Sequence, residues 1–169
     1  DTFNLGTKRI SKLCEYLKEI NLPWTMMGRL DISPDWLYDK MVDSGCVGMR
    51  FGVETFNIEV LKNIEKGIER RDFRKTLEHI CSTYPDIMVH ITMMSDMPGQ
   101  TPEDTENDMD IIKGMGFSTN NIFRSYQLSK CAPFPGTKLY KQMETQLDEK
   151  TLKTYTAYDG GQDTIMKAS

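Results

Sequence analysis

The stretch VGMRFGVET, residues 47–55, places two charged residues in a pattern that is otherwise typical of a buried strand. In an extended chain the apolar residues at positions 47, 49, 51 and 53 share one face, whereas Arg50, Glu54 and two glycines share the other. Glu54 would stand at the carboxyl end of the strand, where its carboxylate could meet a ligand. The pattern equally allows Arg50 and Glu54 to be buried structural charges that pair with each other or with neighbours.

Other polar residues occur near expected strand ends. Arg29 could hold a carboxylate in a bidentate contact, or form a salt bridge with Asp31 or Glu54. His90 falls in the middle of a strand, where a histidine is more often part of the core than a catalyst. The segment SDMPGQTPED, 95–104, joins a strand end to a helix start and could offer free backbone N–H groups to a polar ligand.

Helical and strand patterns alternate along the chain. Strands are expected over 23–31, 47–54, 87–94 and 121–128. Helices are expected over 7–20, from the Ser33-Pro34-Asp35 start (with Ser33 as cap) to Gly45, over 57–64, 73–84 and 101–114, and from about Thr137. This order predicts an α/β fold with right-handed crossovers and about four parallel strands, with helices on the outer face of a partial (β/α) barrel. In such folds, sites form at the carboxyl ends of the strands. We expect residues 1–142 to form this barrel part and 143–169 to be a partly helical extension with a loose tail.

Composition narrows the classes of partner. The net charge of −4 and pI near 5.3 give no reason to expect nucleic acid or an anionic membrane. No apolar run approaches the roughly 20 residues needed to cross a bilayer. The four cysteines fit neither a metal knuckle nor a disulfide framework. Cytoplasm is therefore the expected location.

Seven segments, taken in order and spacing, resemble the radical S-adenosylmethionine (SAM) superfamily. They are DTFN, WTMMGRLD, DSGC, VGMRFGVET, VLKNIEKG, MPGQTPED and APFPGTKLY. The similarity is to the group that often carries an N-terminal cobalamin-binding domain, and it extends to about residue 142. It implies that the chain holds strands three to six of a TIM-like (β/α)₆ barrel, with VGMRFGVET as the fourth strand.

The resemblance also implies a cofactor site at the strand ends. Glu54 matches the residue that contacts the ribose or methionyl part of SAM, and Arg29 matches an arginine that faces the cofactor or substrate. Met94 and Asp96 would line the adenine side, and Ser129 would border the same ligand. Asp96 departs from the usual pattern because it adds a carboxylate there. No catalytic residue and no metal ligand is identified.

The family's CxxxCxxC motif is absent from these 169 residues. Three thiolates hold a 4Fe-4S cluster whose fourth iron binds SAM, and Cys14, Cys46, Cys81 and Cys131 do not have that spacing. We therefore expect the C-terminal part of a catalytic barrel that requires no cofactor and is inactive alone. The intact enzyme would use SAM and a 4Fe-4S cluster, with cobalamin as a further candidate, to start radical chemistry on a small-molecule or peptide substrate. The rest of its own polypeptide would be a partner, and the edge strand with Trp24 could pair with another chain.

Two other functions are compatible with the residues. One is a small metal-independent α/β enzyme that uses Glu54 as an acid or base. The other is a degenerate barrel that serves as a non-catalytic binding module. A CxxxCxxC segment encoded before Asp1 would favour the radical SAM interpretation, and its absence would favour the binding module.

Overall fold

A computed structural model describes residues 2–64 and 73–143 of the chain. Four strands form one parallel sheet in chain order: β1 (Trp24–Gly28), β2 (Cys46–Glu54), β3 (Met88–Ser95) and β4 (Arg124–Lys130). The helices are α1 (Thr7–Ile20), α2 (Asp35–Asp43), α3 (Ile58–Asn63), α4 (Phe73–Thr83), α5 (Pro102–Gly114) and α6 (Lys138–Met143). The α/β fold with four parallel strands is confirmed. Apart from Met143, the expected extension 143–169 lies outside the described residues.

The hydrophobic core lies between one face of the sheet and the helices. Met49, Phe51 and Val53 of β2 are buried there, as are Val89, Ile91 and Met93 of β3, together with Leu37, Met41, Leu77, Ile80 and Ile112 from the helices. Alternation of this kind is what period-2 patterning predicts. Val47 is the exception: it is 38% exposed rather than buried. The register shifts beside it, because Trp24 pairs with Cys46 and Thr25 already pairs with Gly48.

The opposite face of the sheet, called the open face below, is more exposed. Its residues are Thr25 and Met27 in β1, Arg50 and Gly52 in β2, and Met88, His90 and Thr92 in β3, with Ser125 and Gln127 of β4 aligned beside them. The residues of VGMRFGVET that were expected on the polar face, such as Arg50 and Gly52, therefore lie on the open face.

Side-chain caps that follow from the local sequence set the starts of two helices, α3 and α5. Asn57 caps α3 by accepting hydrogen bonds from the amides of Glu59 and Val60, and Thr101 forms a capping box with Asp104 at α5. Ser33 was expected to cap α2, but it does not. The helix begins at Asp35, and Pro34 occupies the N-cap position without a side-chain hydrogen bond.

The start of β4 and the outer edge of β1 also depend on local contacts. β4 begins three residues later than expected, because the Asn121 side chain accepts hydrogen bonds from the amides of Phe123 and Arg124 and holds a turn. At the edge, Phe3 donates its amide to the carbonyl of Met27 at 2.8 Å. Pairing of this edge with another chain stays a prediction.

Among the helices of the described residues, none combines the length and apolarity that crossing a membrane requires.

Candidate functional site

Two acidic residues at the ends of neighbouring strands have left-handed backbone conformations. Glu54, the last residue of β2, has φ 68°, and Asp96, directly after β3, has φ 60°. Such φ values are uncommon for residues other than glycine, and they concentrate at functional sites. The register is irregular between Gly52 and Glu54, so that Glu54 pairs with Met93. Both predicted carboxylates thus sit where the strands turn into loops.

Cys131 brings a third strand end to the same place. Its amide donates to the carbonyl of Ser95 at 2.8 Å, and its side chain is buried. Burial, followed by the negative charges of Asp96 and Glu54, raises the pKa of the Cys131 thiol to about 11. The thiol is therefore protonated at neutral pH, and the negative charges of both carboxylates act on it. Sequence reasoning did not select Cys131 as a site residue, although it lies only three residues after the predicted strand 121–128 and directly follows β4 in the structure.

A small apolar cluster lies beside these carboxylates. It consists of buried Val60, Met97 and Cys131, with Met94 and Leu139 packed against it. Met94, predicted to line the adenine side of SAM, therefore contributes to an apolar surface at the strand ends. Ser129 pairs with Met94 in the register, and its hydroxyl accepts a hydrogen bond from the side-chain Nε2 of Gln127 at 3.1 Å.

Arg29 follows β1 and is held by Asp31. Its Nε lies 2.9 Å from Asp31 Oδ1 and its Nη2 lies 2.7 Å from Asp31 Oδ2, which is a bidentate pair. The hydrogen bonds to Asp31 raise the pKa of Arg29, so the guanidinium stays charged. Of the two contacts expected for Arg29, the salt bridge with Asp31 is present. The Arg29 side chain as a whole remains 33% exposed at the strand end.

The backbone of Arg29 is fixed by a buried asparagine. Asn4 Nδ2 donates to the Arg29 carbonyl at 2.6 Å, and the Arg29 amide donates to Asn4 Oδ1 at 2.9 Å. Tyr38 donates its hydroxyl to the same carbonyl at 3.0 Å. A Cβ on Gly28 would lie 2.5 Å from Asn4 Oδ1, so this approach requires glycine. Sequence reasoning singled out the DTFN segment but not this role of Asn4.

Two acidic residues of α5 hold the loop that follows Glu54. Asp108 Oδ1 accepts a hydrogen bond from the Phe56 amide at 2.8 Å, and Asp104 accepts one from the Asn57 side chain at 2.8 Å. Burial raises the pKa of Asp108. Sequence reasoning considered only the N-terminus of α5, as a source of free backbone N–H groups, because long-range contacts of this kind leave no local pattern.

His90 lies on the open face and is half buried. Its Nδ1 is 2.9 Å from the Ser125 hydroxyl, whereas its buried Nε2 has no hydrogen-bond partner in the part of the chain that the structure describes. Burial, and then the positive charge of Arg50, lowers the pKa of His90. His90 is thus neither a fully satisfied core histidine nor a charged group at neutral pH.

Two cavities adjoin these residues. One of about 370 Å³ lies on the open face and is lined by Met27, Arg50, Gly52 and Thr92, together with Thr2 and Gly28. The other, of about 580 Å³, lies between Asp96 and α5. Within the described ranges, His, Cys, Asp and Glu side chains form no group of three or more that could hold a metal ion.

Known proteins with similar sequences include two methylthiotransferases. The chain is 23% identical over 159 residues to ribosomal protein uS12 methylthiotransferase RimO of Alkaliphilus oremlandii, covering 90% of this chain and 35% of that protein. It is 26% identical over 135 residues to threonylcarbamoyladenosine tRNA methylthiotransferase MtaB of Thermotoga maritima, covering 75% of this chain and 30% of that protein. No protein-family model matches the sequence.

A solved structure with the same fold is the radical S-adenosylmethionine methyltransferase TsrM from Kitasatospora setae, with cobalamin and a 4Fe-4S cluster bound. It superposes with a TM-score of 0.70 at 16% identity, covering 86% of this chain and 29% of that chain. The chain is thus similar in sequence to methylthiotransferases and shares its fold with a radical SAM methyltransferase. It spans about a third of the length of the curated relatives named here.

The residues at the strand ends suit SAM as a ligand, whereas the cysteines do not suit a 4Fe-4S cluster. SAM carries a positive sulfonium and an ammonium group as well as ribose hydroxyls, and the carboxylates of Glu54 and Asp96 beside an apolar surface suit such a ligand. The sequence spacing of the four cysteines is not CxxxCxxC, and within the described residues they belong to no group of three or more side chains that could hold a metal ion.

Proposed function

We propose that this chain is the C-terminal part of a radical SAM catalytic barrel and that the carboxyl ends of β2 and β3 contact SAM. The observation that supports this most is the pair of left-handed carboxylates, Glu54 and Asp96, beside the buried Cys131 thiol. The relationship to radical SAM enzymes supports the same proposal.

Each strand end has a role in this proposal. Glu54 accepts hydrogen bonds from the ribose hydroxyls or the ammonium group of SAM. Met94 and Asp96 lie on the adenine side, and Ser129 borders the ligand. Arg29, oriented by Asp31 and Asn4, faces the cofactor or the substrate. SAM bound to a reduced 4Fe-4S cluster supplies the radical that begins the reaction.

The cluster ligands belong, in this proposal, to a part of the enzyme outside these 169 residues. The chain alone then has no SAM-cleaving activity, and cobalamin is a candidate cofactor of the intact enzyme. A small-molecule or peptide substrate agrees better than RNA with the net charge of −4. A cytoplasmic location stays a prediction.

The proposal is tested by anaerobic reconstitution with iron and sulfide. A longer protein that carries a CxxxCxxC segment before Asp1 is expected to convert SAM to 5′-deoxyadenosine, whereas the 169-residue chain is expected to bind no cluster. The matched control is the longer protein with those three cysteines replaced by alanine. A cubane cluster with turnover in the 169-residue chain would contradict the proposal. SAM binding without cleavage in the longer protein would favour the non-catalytic binding module.

A further inference from the structure

Among the described residues, the open face carries one charged side chain, Arg50, for which no oppositely charged partner is present. The register aligns Met27, Arg50, His90 and Ser125 in one row across the four strands. Arg50 is exposed, and its guanidinium forms no ion pair among the described residues. The neighbouring rows add Thr25, Gly48 and Met88 on one side and Gly52, Thr92 and Gln127 on the other, none of which is acidic. In a chain with net charge −4, this is a local positive site.

The histidine next to Arg50 does not add to that charge at neutral pH, because its pKa is lowered by burial and by Arg50 itself. It does add a second unusual feature. A neutral imidazole has one donor and one acceptor, and the buried Nε2 of His90 uses neither capacity within the described residues. Buried polar atoms without partners are rare and need a reason. The row therefore holds an exposed guanidinium with no ion pair among the described residues, next to a buried imidazole nitrogen that has no hydrogen-bond partner there.

A cavity makes Arg50 accessible to a ligand. Its volume of about 370 Å³ lies in the range of small-molecule sites, which is roughly 300–1,000 Å³. Arg50 supplies the charge, Met27 supplies an apolar wall, and Thr92 supplies a hydroxyl. Gly52 has no side chain to fill the space between them. The lining thus combines one cation with apolar surface.

We propose that Arg50 anchors the anionic group of a small ligand, a carboxylate or a phosphate, whose apolar body lies against Met27. A guanidinium suits either group, because its donors match two oxygens of a carboxylate or phosphate at once. The identification of this ligand as the substrate of the enzyme rests on the proposed function. The anion site itself is argued only from Arg50 and the cavity on the open face.

Methyl NMR of the 169-residue chain labelled with ¹³C-methyl methionine tests the proposal. The probes are hexanoate, hexyl phosphate and the uncharged hexanamide, and a Met27→Leu variant assigns the Met27 signal. We expect hexanoate or hexyl phosphate to shift the Met27 methyl resonance saturably, and hexanamide to leave it unchanged. The probe that binds more tightly identifies the anionic group as carboxylate or phosphate.

Three variants decide whether Arg50 is responsible. Arg50→Gln should weaken the binding of the anion by about tenfold or more, because it removes a charge-assisted contact. Arg50→Lys keeps the charge but not the bidentate geometry and should give an intermediate affinity. Arg74→Gln is the matched control, since Arg74 is an exposed arginine on α4 paired with Glu78, and it should bind like the unmodified chain. The remaining methionine signals show that each variant is folded.

Three results would overturn the anion site: equal affinity in Arg50→Gln, equal binding of hexanamide, or no saturable shift with either anion. Because neither SAM nor a cluster is present in this experiment, such a result leaves the proposed radical SAM function in place. Conversely, a longer protein that fails to cleave SAM would leave the anion site in place.

Discussion

Replacing Asp108 by asparagine tests how the loop after Glu54 is held. Asp108 is only 3% exposed, its Oδ1 accepts the Phe56 amide at 2.8 Å, and its Oδ2 has no hydrogen-bond partner among the described residues. Burial is the first cause of its raised pKa, and the negative charge of Asp104 contributes in the same direction. Ionised Asp108 is therefore less favourable in the folded chain than in the unfolded chain.

The sign of the pH dependence follows from the raised pKa. Above the ordinary aspartate value of 3.8, the unfolded chain loses the proton of Asp108 while the folded chain still holds it. The contribution of Asp108 to stability therefore falls as pH rises from 3.8 to the folded pKa, by at most about 1.4 kcal/mol per pH unit, and is constant above it. Asparagine cannot ionise and keeps an acceptor for the Phe56 amide. The free energy of unfolding of Asp108→Asn, relative to the unmodified chain, should rise through this window and then level off.

Urea unfolding followed by circular dichroism between about pH 4 and pH 8 measures this difference. Asp110→Asn is the matched control, because Asp110 is an exposed carboxylate on the same helix, and its curve should run parallel to that of the unmodified chain. Asp108→Leu, which removes the acceptor, should lose about 1–3 kcal/mol near neutral pH. A difference that falls with pH, or that is flat throughout, would refute the reasoning.

Two further predictions concern the scaffold. Arg124 is buried and donates four hydrogen bonds of 2.5–2.9 Å to carbonyls around the end of α4 and the start of β4. Arg124→Met should therefore lower the free energy of unfolding by about 3–5 kcal/mol, and a loss below about 1 kcal/mol would contradict this role. Gly28→Ala should cost about 1–3 kcal/mol, because the new Cβ would meet Asn4 Oδ1. In an Asn4→Ala background that cost should largely disappear, and a purely additive double mutant would show that the clash is not the cause.

Local patterns were sufficient to predict the elements and the two faces of the central strands. The alternation in VGMRFGVET placed Met49, Phe51 and Val53 in the core and Arg50 on the opposite face, because side-chain direction in a strand follows from its period alone. The expected helix starts at residues 57 and 101 coincide with the observed N-caps Asn57 and Thr101, since a cap contacts only the next two or three residues.

Features that depend on distant residues were not predictable in this way. Val47 is exposed because of an irregularity in its pairing with β1. The sequence left the partner of Arg29 open among Asp31, Glu54 and a ligand, and folding joins Arg29 to Asp31. The proximity of Cys131 to the charges of Glu54 and Asp96 depends on three strands whose ends meet at one edge. That Glu54, Arg29, Met94, Asp96 and Ser129 contact SAM stays a prediction.

The most direct test of SAM binding at the strand ends is the affinity of a Glu54→Gln variant of the longer protein for SAM, measured by calorimetry together with its melting temperature. A carboxylate that accepts ribose hydrogen bonds contributes about 1.5–3 kcal/mol, so SAM should bind roughly ten- to a hundredfold more weakly while the melting temperature is unchanged. Glu59→Gln is the matched control, because Glu59 is an exposed glutamate on α3 paired with Lys62, and it should leave SAM affinity unchanged. If Glu54→Gln instead lowers the melting temperature markedly and binds SAM as tightly as the unmodified protein, Glu54 is a structural charge and SAM does not bind where this account places it.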